Sequence, residues 1–103
     1  MPPPTSTTTT IPAGGTTYEV AVGQFFYNPT PITIKAGDTI RWKNEDIPHT
    51  VTSGSSPNPD GIWDSGVFLK GEVFSRVFNQ AGTFKYFCVI HPTDMKGTVT
   101  VTP

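Results

Sequence analysis

Cysteine is almost absent from this chain: among its 103 residues it occurs once, at Cys88. A single cysteine excludes an intrachain disulfide, and it excludes c-type haem attachment, which needs a second cysteine ahead of the histidine. Charge is scarce too, with seven basic and eight acidic residues and no block of one sign. Such a pattern carries neither the basic stripe of a nucleic-acid surface nor a polybasic membrane anchor. No apolar run approaches the roughly 18 residues of a membrane span. Histidine and methionine are rare as well, with two of each.

What is abundant is proline, threonine and short β-branched or aromatic runs. Residues Met1 to Gly15 hold no charge, three consecutive prolines and the run Thr5-Ser6-Thr7-Thr8-Thr9-Thr10. A stretch with so little to bury cannot offset its ordering entropy, so residues 1–15 read as a flexible tail or linker. That leaves 88 residues, 16–103, for a single domain. A domain of this size often needs a staple, and with one cysteine a bound metal is the obvious candidate.

Nothing in 16–103 has helical periodicity. Apolar residues recur every second position between Gly, Pro and Asp. The expected strands are 17–22, 32–35, 39–43, 49–52, 72–78, 83–89 and 97–102. Turn chemistry separates them at Asn28-Pro29, Ala36-Gly37-Asp38, Pro57-Asn58-Pro59-Asp60-Gly61 and Gln80-Ala81-Gly82. This spacing predicts an all-β sandwich or barrel of about seven to eight strands. Alternation puts Ile40 and Trp42 on one face, with Thr39, Arg41 and Lys43 on the other. Likewise Phe84, Tyr86 and Cys88 face the core, whereas Lys85 and Phe87 face outward.

Three of the five Cys, His and Met residues, namely Cys88, His91 and Met95, fall within eight positions after a predicted strand. The second histidine, His49, heads another strand in Asp46-Ile47-Pro48-His49-Thr50-Val51. Each residue alone has an ordinary explanation: a lone buried cysteine is usually a small core hydrophobe. The gathering of scarce soft donors is what points to a metal. One thiolate, two imidazoles and a thioether suit copper in both oxidation states, as a trigonal His₂Cys set with a long axial Met. Structural zinc prefers four strong ligands and rarely takes a thioether.

The segment Gly82-Thr83-Phe84-Lys85-Tyr86-Phe87-Cys88-Val89-Ile90-His91-Pro92, followed by Met95-Lys96-Gly97, resembles the copper loop of cupredoxins such as plastocyanins and amicyanins. Gly37-Asp38-Thr39-Ile40-Arg41-Trp42-Lys43-Asn44 leading into Pro48-His49-Thr50-Val51 resembles the same family, as do Asp64-Ser65-Gly66 and Gly71-Glu72-Val73-Phe74. The likeness runs over about 18–101 and implies a Greek-key sandwich around one Cu(II)/Cu(I) ion. It implies His49 and His91 as ring-nitrogen ligands, Cys88 as thiolate and Met95 as the weak axial ligand. Pro48 would place its carbonyl near the opposite axial position. Thr50 stands where many relatives carry an Asn that supports the ligand loops. The seven-residue step from Cys88 to Met95 departs from both amicyanin-like and plastocyanin-like loops, which leaves Asp94 or water as axial alternatives.

The function implied is a non-enzymatic electron carrier, with transient redox partners docking near His91 and a second exit beside Phe87. Multicopper enzymes of this fold need many more histidines, and binuclear centres need two cysteines. The alternative is a copper carrier or storage protein without an electron-transfer role. A monomer outside the cytoplasm is expected, periplasmic or on the outer face of a membrane, with the N-terminal tract left open as a linker to a membrane anchor or to a larger protein.

Overall fold

The strand-forming runs of the sequence do pair into two sheets in the computed structural model, which describes residues 15–103. The expected tail therefore lies, apart from Gly15, outside the described residues. Nine strands follow in order: β1 (Thr17–Gly23), β2 (Phe26–Asn28), β3 (Ile32–Lys35), β4 (Asp38–Asn44) and β5 (Thr52–Ser55). The rest are β6 (Asn58–Asp64), β7 (Val73–Phe78), β8 (Gly82–Phe87) and β9 (Lys96–Thr102). No helix occurs among the described residues.

One sheet has the order β2-β1-β4-β7, the other β3-β9-β8-β5-β6. β1 runs parallel to β4, and β3 parallel to β9, while the other pairs are antiparallel. Alternation along β4 buries Ile40 and Trp42 completely and leaves Thr39, Arg41 and Lys43 toward the outside, as the pattern predicts. The core forms where the two inner faces meet. Trp42 of the first sheet lies edge-on to Tyr86 of the second, with ring centroids 5.5 Å apart, and stacks on Phe74 at 5.6 Å. A fully buried ring system of about 200 Å² stabilises the fold by roughly 5 kcal/mol before entropy.

Asp38 joins three segments at the start of β4. Its carboxylate accepts the Thr16 N–H on one oxygen and the Lys35 N–H on the other, both at 2.9 Å. These two backbone donors hold its carboxyl below the usual carboxylate range.

Four local expectations need correction. The strand expected at 49–52 begins only at Thr52. His49 makes a single isolated bridge with Phe68 instead, exchanging N–H and C=O at 3.2 and 3.0 Å. Residues 57–61, expected as a turn, mostly belong to β6. That strand is at the sheet edge, where Pro59 breaks no ladder because its missing donor would have faced solvent. The three-residue β2 went unpredicted, being too short to show a period. Phe87, expected outward, is 1% exposed, although it lies outside the main core cluster. Alternation names a face but not what covers it. Here β5 and β9 flank Phe87, and the Ser56 hydroxyl donates to the Pro92 carbonyl, tying the β5–β6 turn to the loop after Cys88.

Candidate metal centre

Two chain segments, one before β5 and one after β8, meet at the end of the sandwich. Antiparallel pairing aligns Thr52 with Phe87 and Ser53 with Tyr86. Continuing that register by two residues sets Thr50 opposite Val89, which carries His49 and Cys88 into one neighbourhood. The Thr50 N–H points at Cys88 Sγ, 3.4 Å away, and the Thr50 hydroxyl accepts the Val89 N–H at 3.0 Å.

The loop from Cys88 to Met95 is closed by its own backbone. Cys88 donates to the Met95 carbonyl at 3.1 Å, extending the β8–β9 ladder past its last pair. His91 donates to the Cys88 carbonyl at 3.1 Å, and Met95 donates to the His91 carbonyl at 3.0 Å. His49 is fixed from the other side. The Asn44 amide donates to the carbonyls of Ile47 (2.7 Å) and Phe68 (2.9 Å), and its oxygen accepts the Asp46 N–H. Asp46 then meets His49 Nε2 at 3.0 Å, which leaves Nδ1 directed inward.

That Nδ1 lies 3.9 Å from Cys88 Sγ, and His91 Nδ1 lies 3.8 Å from the same sulfur. One donor atom from each of the three residues falls within 4.8 Å of the others. Spacings near 3.8 Å are what a single ion spans when its bonds to sulfur and nitrogen are about 2.0–2.3 Å long. Cys88, His49 and Met95 are fully buried, and His91 is partly exposed. Asp94, the alternative axial residue, is exposed, whereas Met95 belongs to the core cluster. Under the site, the Tyr27 hydroxyl donates to the Thr50 carbonyl at 2.6 Å. Burial, and after it the nearby Cys88, push the Tyr27 phenol well above its ordinary value, so it remains a donor.

The sequence pattern missed two contributors. Asp46 carries a usable signal, an acid three residues before a candidate ligand, because metal-binding histidines commonly give their other nitrogen to a carboxylate. Phe25, whose ring lies 4.7 Å edge-on to His91, has no signal along the chain, since the contact spans 66 positions.

A β-sandwich that converges one thiol and two imidazoles, two of the three residues fully buried, forms a mononuclear site for a soft or borderline metal. Residues 14–102 match the family of copper binding proteins that comprises plastocyanin and azurin. The chain is 36% identical over 87 residues to plastocyanin from Scenedesmus fuscus, covering 77% of this chain and 89% of that protein. It is 35% identical over 91 residues to amicyanin-alpha from Methylorubrum extorquens, covering 87% and 74%. Among solved structures, a purple cupredoxin from Nitrosopumilus maritimus superposes with a TM-score of 0.75 at 29% identity, over 82% of this chain and 98% of that one. The chain belongs to the plastocyanin/azurin family of copper-binding proteins.

Proposed function

We infer that the protein is a one-electron carrier, in which His49, Cys88 and His91, together with Met95, would hold a single copper ion. The convergence of the three donors onto one point carries this reading. Copper bound there supplies one reversibly exchanged electron. The chain supplies a frame that resists rearrangement: Asn44, Asp46 and Thr50 fix the His49 side, and the closed backbone turn fixes the Cys88–Met95 side. Ligands locked by packed neighbours relax little when the charge on the ion changes.

Both histidines and the one cysteine of the whole chain lie in this centre. None is left for the further copper sites of an oxidase or reductase, which supports a carrier rather than an enzyme. His91 is the partly exposed member of the trio, so electrons enter and leave through its ring edge. Val89 and Ile90, next to His91 in the chain, and Phe25, whose ring lies against it, are exposed apolar side chains, a surface suited to brief docking of a redox partner. The burial of Phe87 removes it as a second surface exit. We place the protein outside the cytoplasm, as a monomer. No helix of the described residues is long and apolar enough to cross a membrane.

Addition of Cu(II) to the purified protein is the direct test. Intense visible absorption and a reversible one-electron wave, both lost in Cys88→Ser, are expected. Colourless binding, or an unaltered spectrum in Cys88→Ser, overturns the reading.

A further inference from the structure

The two histidines of the centre are held in different ways. His49 is buried and oriented by Asp46 through Nε2. Among the described residues, His91 has no such acid, and its only side-chain polar contact is with Cys88 Sγ. Two aromatic rings lie beside its own: His49, with centroids 5.4 Å apart, and Phe25, at 4.7 Å with planes inclined by 65°.

Phe25 reaches this seat through an unusual backbone. β1 and β2 pair with Gly23 opposite Phe26, so Gln24 and Phe25 form a two-residue hairpin tip. There Phe25 takes φ = +69°, and among the described residues it is the one non-glycine with a positive φ. Glycine or asparagine adopts that conformation easily, whereas a bulky aromatic does so at a cost. Such departures persist where surrounding contacts over-determine them, and they cluster at functional sites. The neighbouring Phe26 has a separate role, since its ring lies across Gly23, in the space that a Cβ there would fill. Phe25 is also 44% exposed, so burial in the core does not account for its placement.

We propose that Phe25 is a positioning residue for the metal centre: its ring, held by the left-handed hairpin tip, orients the His91 imidazole as Asp46 orients His49. The inference rests on the reading of His91 as a ligand. An edge-to-face aromatic pair contributes enough to change the population of a correctly turned ring about twofold to twelvefold. Metal affinity should follow that population.

The test compares Phe25→Gly, Phe25→Asn and Phe25→Tyr with the parent protein, by titration with Co(II) and by thermal unfolding without metal. Gly and Asn both accept the left-handed backbone and remove the ring, so a failure of one to fold leaves the other to decide. Both variants are expected to unfold at or above the parent temperature without metal, yet to bind Co(II) about twofold to twelvefold more weakly. Phe25→Tyr, which keeps the ring, should stay within about twofold of the parent. Unchanged Co(II) affinity in the Gly and Asn variants overturns the proposal, as does equal weakening in Phe25→Tyr. His91→Ala separates the two levels of the argument. If it binds Co(II) like the parent, the ligand reading falls and takes the positioning role with it. If it loses Co(II) while the ring-deleted variants do not, only the role of Phe25 falls.

Discussion

The Thr50 hydroxyl accepts the backbone N–H of Val89, tying the residue after one candidate ligand to the residue after another. The same threonine aims its own N–H at Cys88 Sγ and receives support on its carbonyl from Tyr27. A hydroxyl thus does at this position the loop-bridging work expected of an asparagine in many relatives. Replacing Thr50 by Val keeps the shape and removes the acceptor, leaving the Val89 N–H unpaired. Denaturant unfolding should show a loss of about 1–3 kcal/mol, which Thr50→Ser recovers in large part. An unchanged midpoint in Thr50→Val would show that water replaces the hydroxyl without penalty.

Asp46 acts at a distance of one hydrogen bond from the centre. Asp46→Ala frees the His49 ring to turn, and support of this kind is typically worth about 10–100-fold in metal affinity. Competition titration with a chelator of known affinity measures the change. Affinity equal to that of the parent would mean that burial alone orients His49.

Gly97 pairs with Tyr86 across β8 and β9, and the end of the Tyr86 ring occupies the space of the missing side chain. Gly97→Ala has to displace that ring against Trp42 and Tyr27, its edge-on neighbours. Overpacking of this kind costs about 1–3 kcal/mol. Thermal unfolding of the metal-free variant should register it, together with a shifted near-ultraviolet aromatic signal.

Stability should fall at both ends of the pH scale. Asp38 has a lowered carboxyl, so its contribution is present above the ordinary carboxylate range and lost as pH falls through the lowered value. On the alkaline side burial pushes Tyr86 up to about 12, and Tyr27 is raised as well. A raised phenol stabilises the fold fully below its ordinary value of about 10 and progressively less as pH climbs through the raised one. The buried Tyr86 hydroxyl makes no hydrogen bond of good geometry, although the Trp42 and Thr30 side chains lie near enough to offset part of the effect of burial. Tyr86→Phe should therefore be no less stable at neutral pH and should lose less stability above about pH 10. A variant that unfolds with base as readily as the parent would locate the alkaline transition elsewhere.

Copper binding should stabilise the native state by mass action. At a free concentration of about 100 times the dissociation constant the gain is about 2.7 kcal/mol, read as a higher unfolding midpoint. Cys88→Ser is expected to forfeit most of that gain, whereas its metal-free midpoint should move little by comparison.

Much of the architecture was legible from local pattern. Ile40 and Trp42 alternate with polar neighbours in β4, and a period of two is a property of the chain itself. What failed were local judgements that depended on an unseen neighbour. Asn58-Pro59-Asp60-Gly61 reads as a turn, because turn residues and an exposed edge strand share a composition. His49 departs from regular strand geometry because Phe68, nineteen residues on, supplies its backbone partner. Phe87 obeys the alternation and is nevertheless buried, since facing away from the core does not mean facing water.

The amino-acid sequence by itself determined the donor set and the fold class. Composition leaves one thiol and two imidazoles to bind a metal, and alternating short runs bury their apolar halves in a sandwich or barrel. The tertiary structure alone decided that those donors lie about 4 Å apart, that Asp46 turns one imidazole and that Phe25 lies against the other. The reason is physical: residue types and periods are local properties of the chain, whereas a distance between residues 39 or 66 positions apart is created by strand register and hairpin geometry.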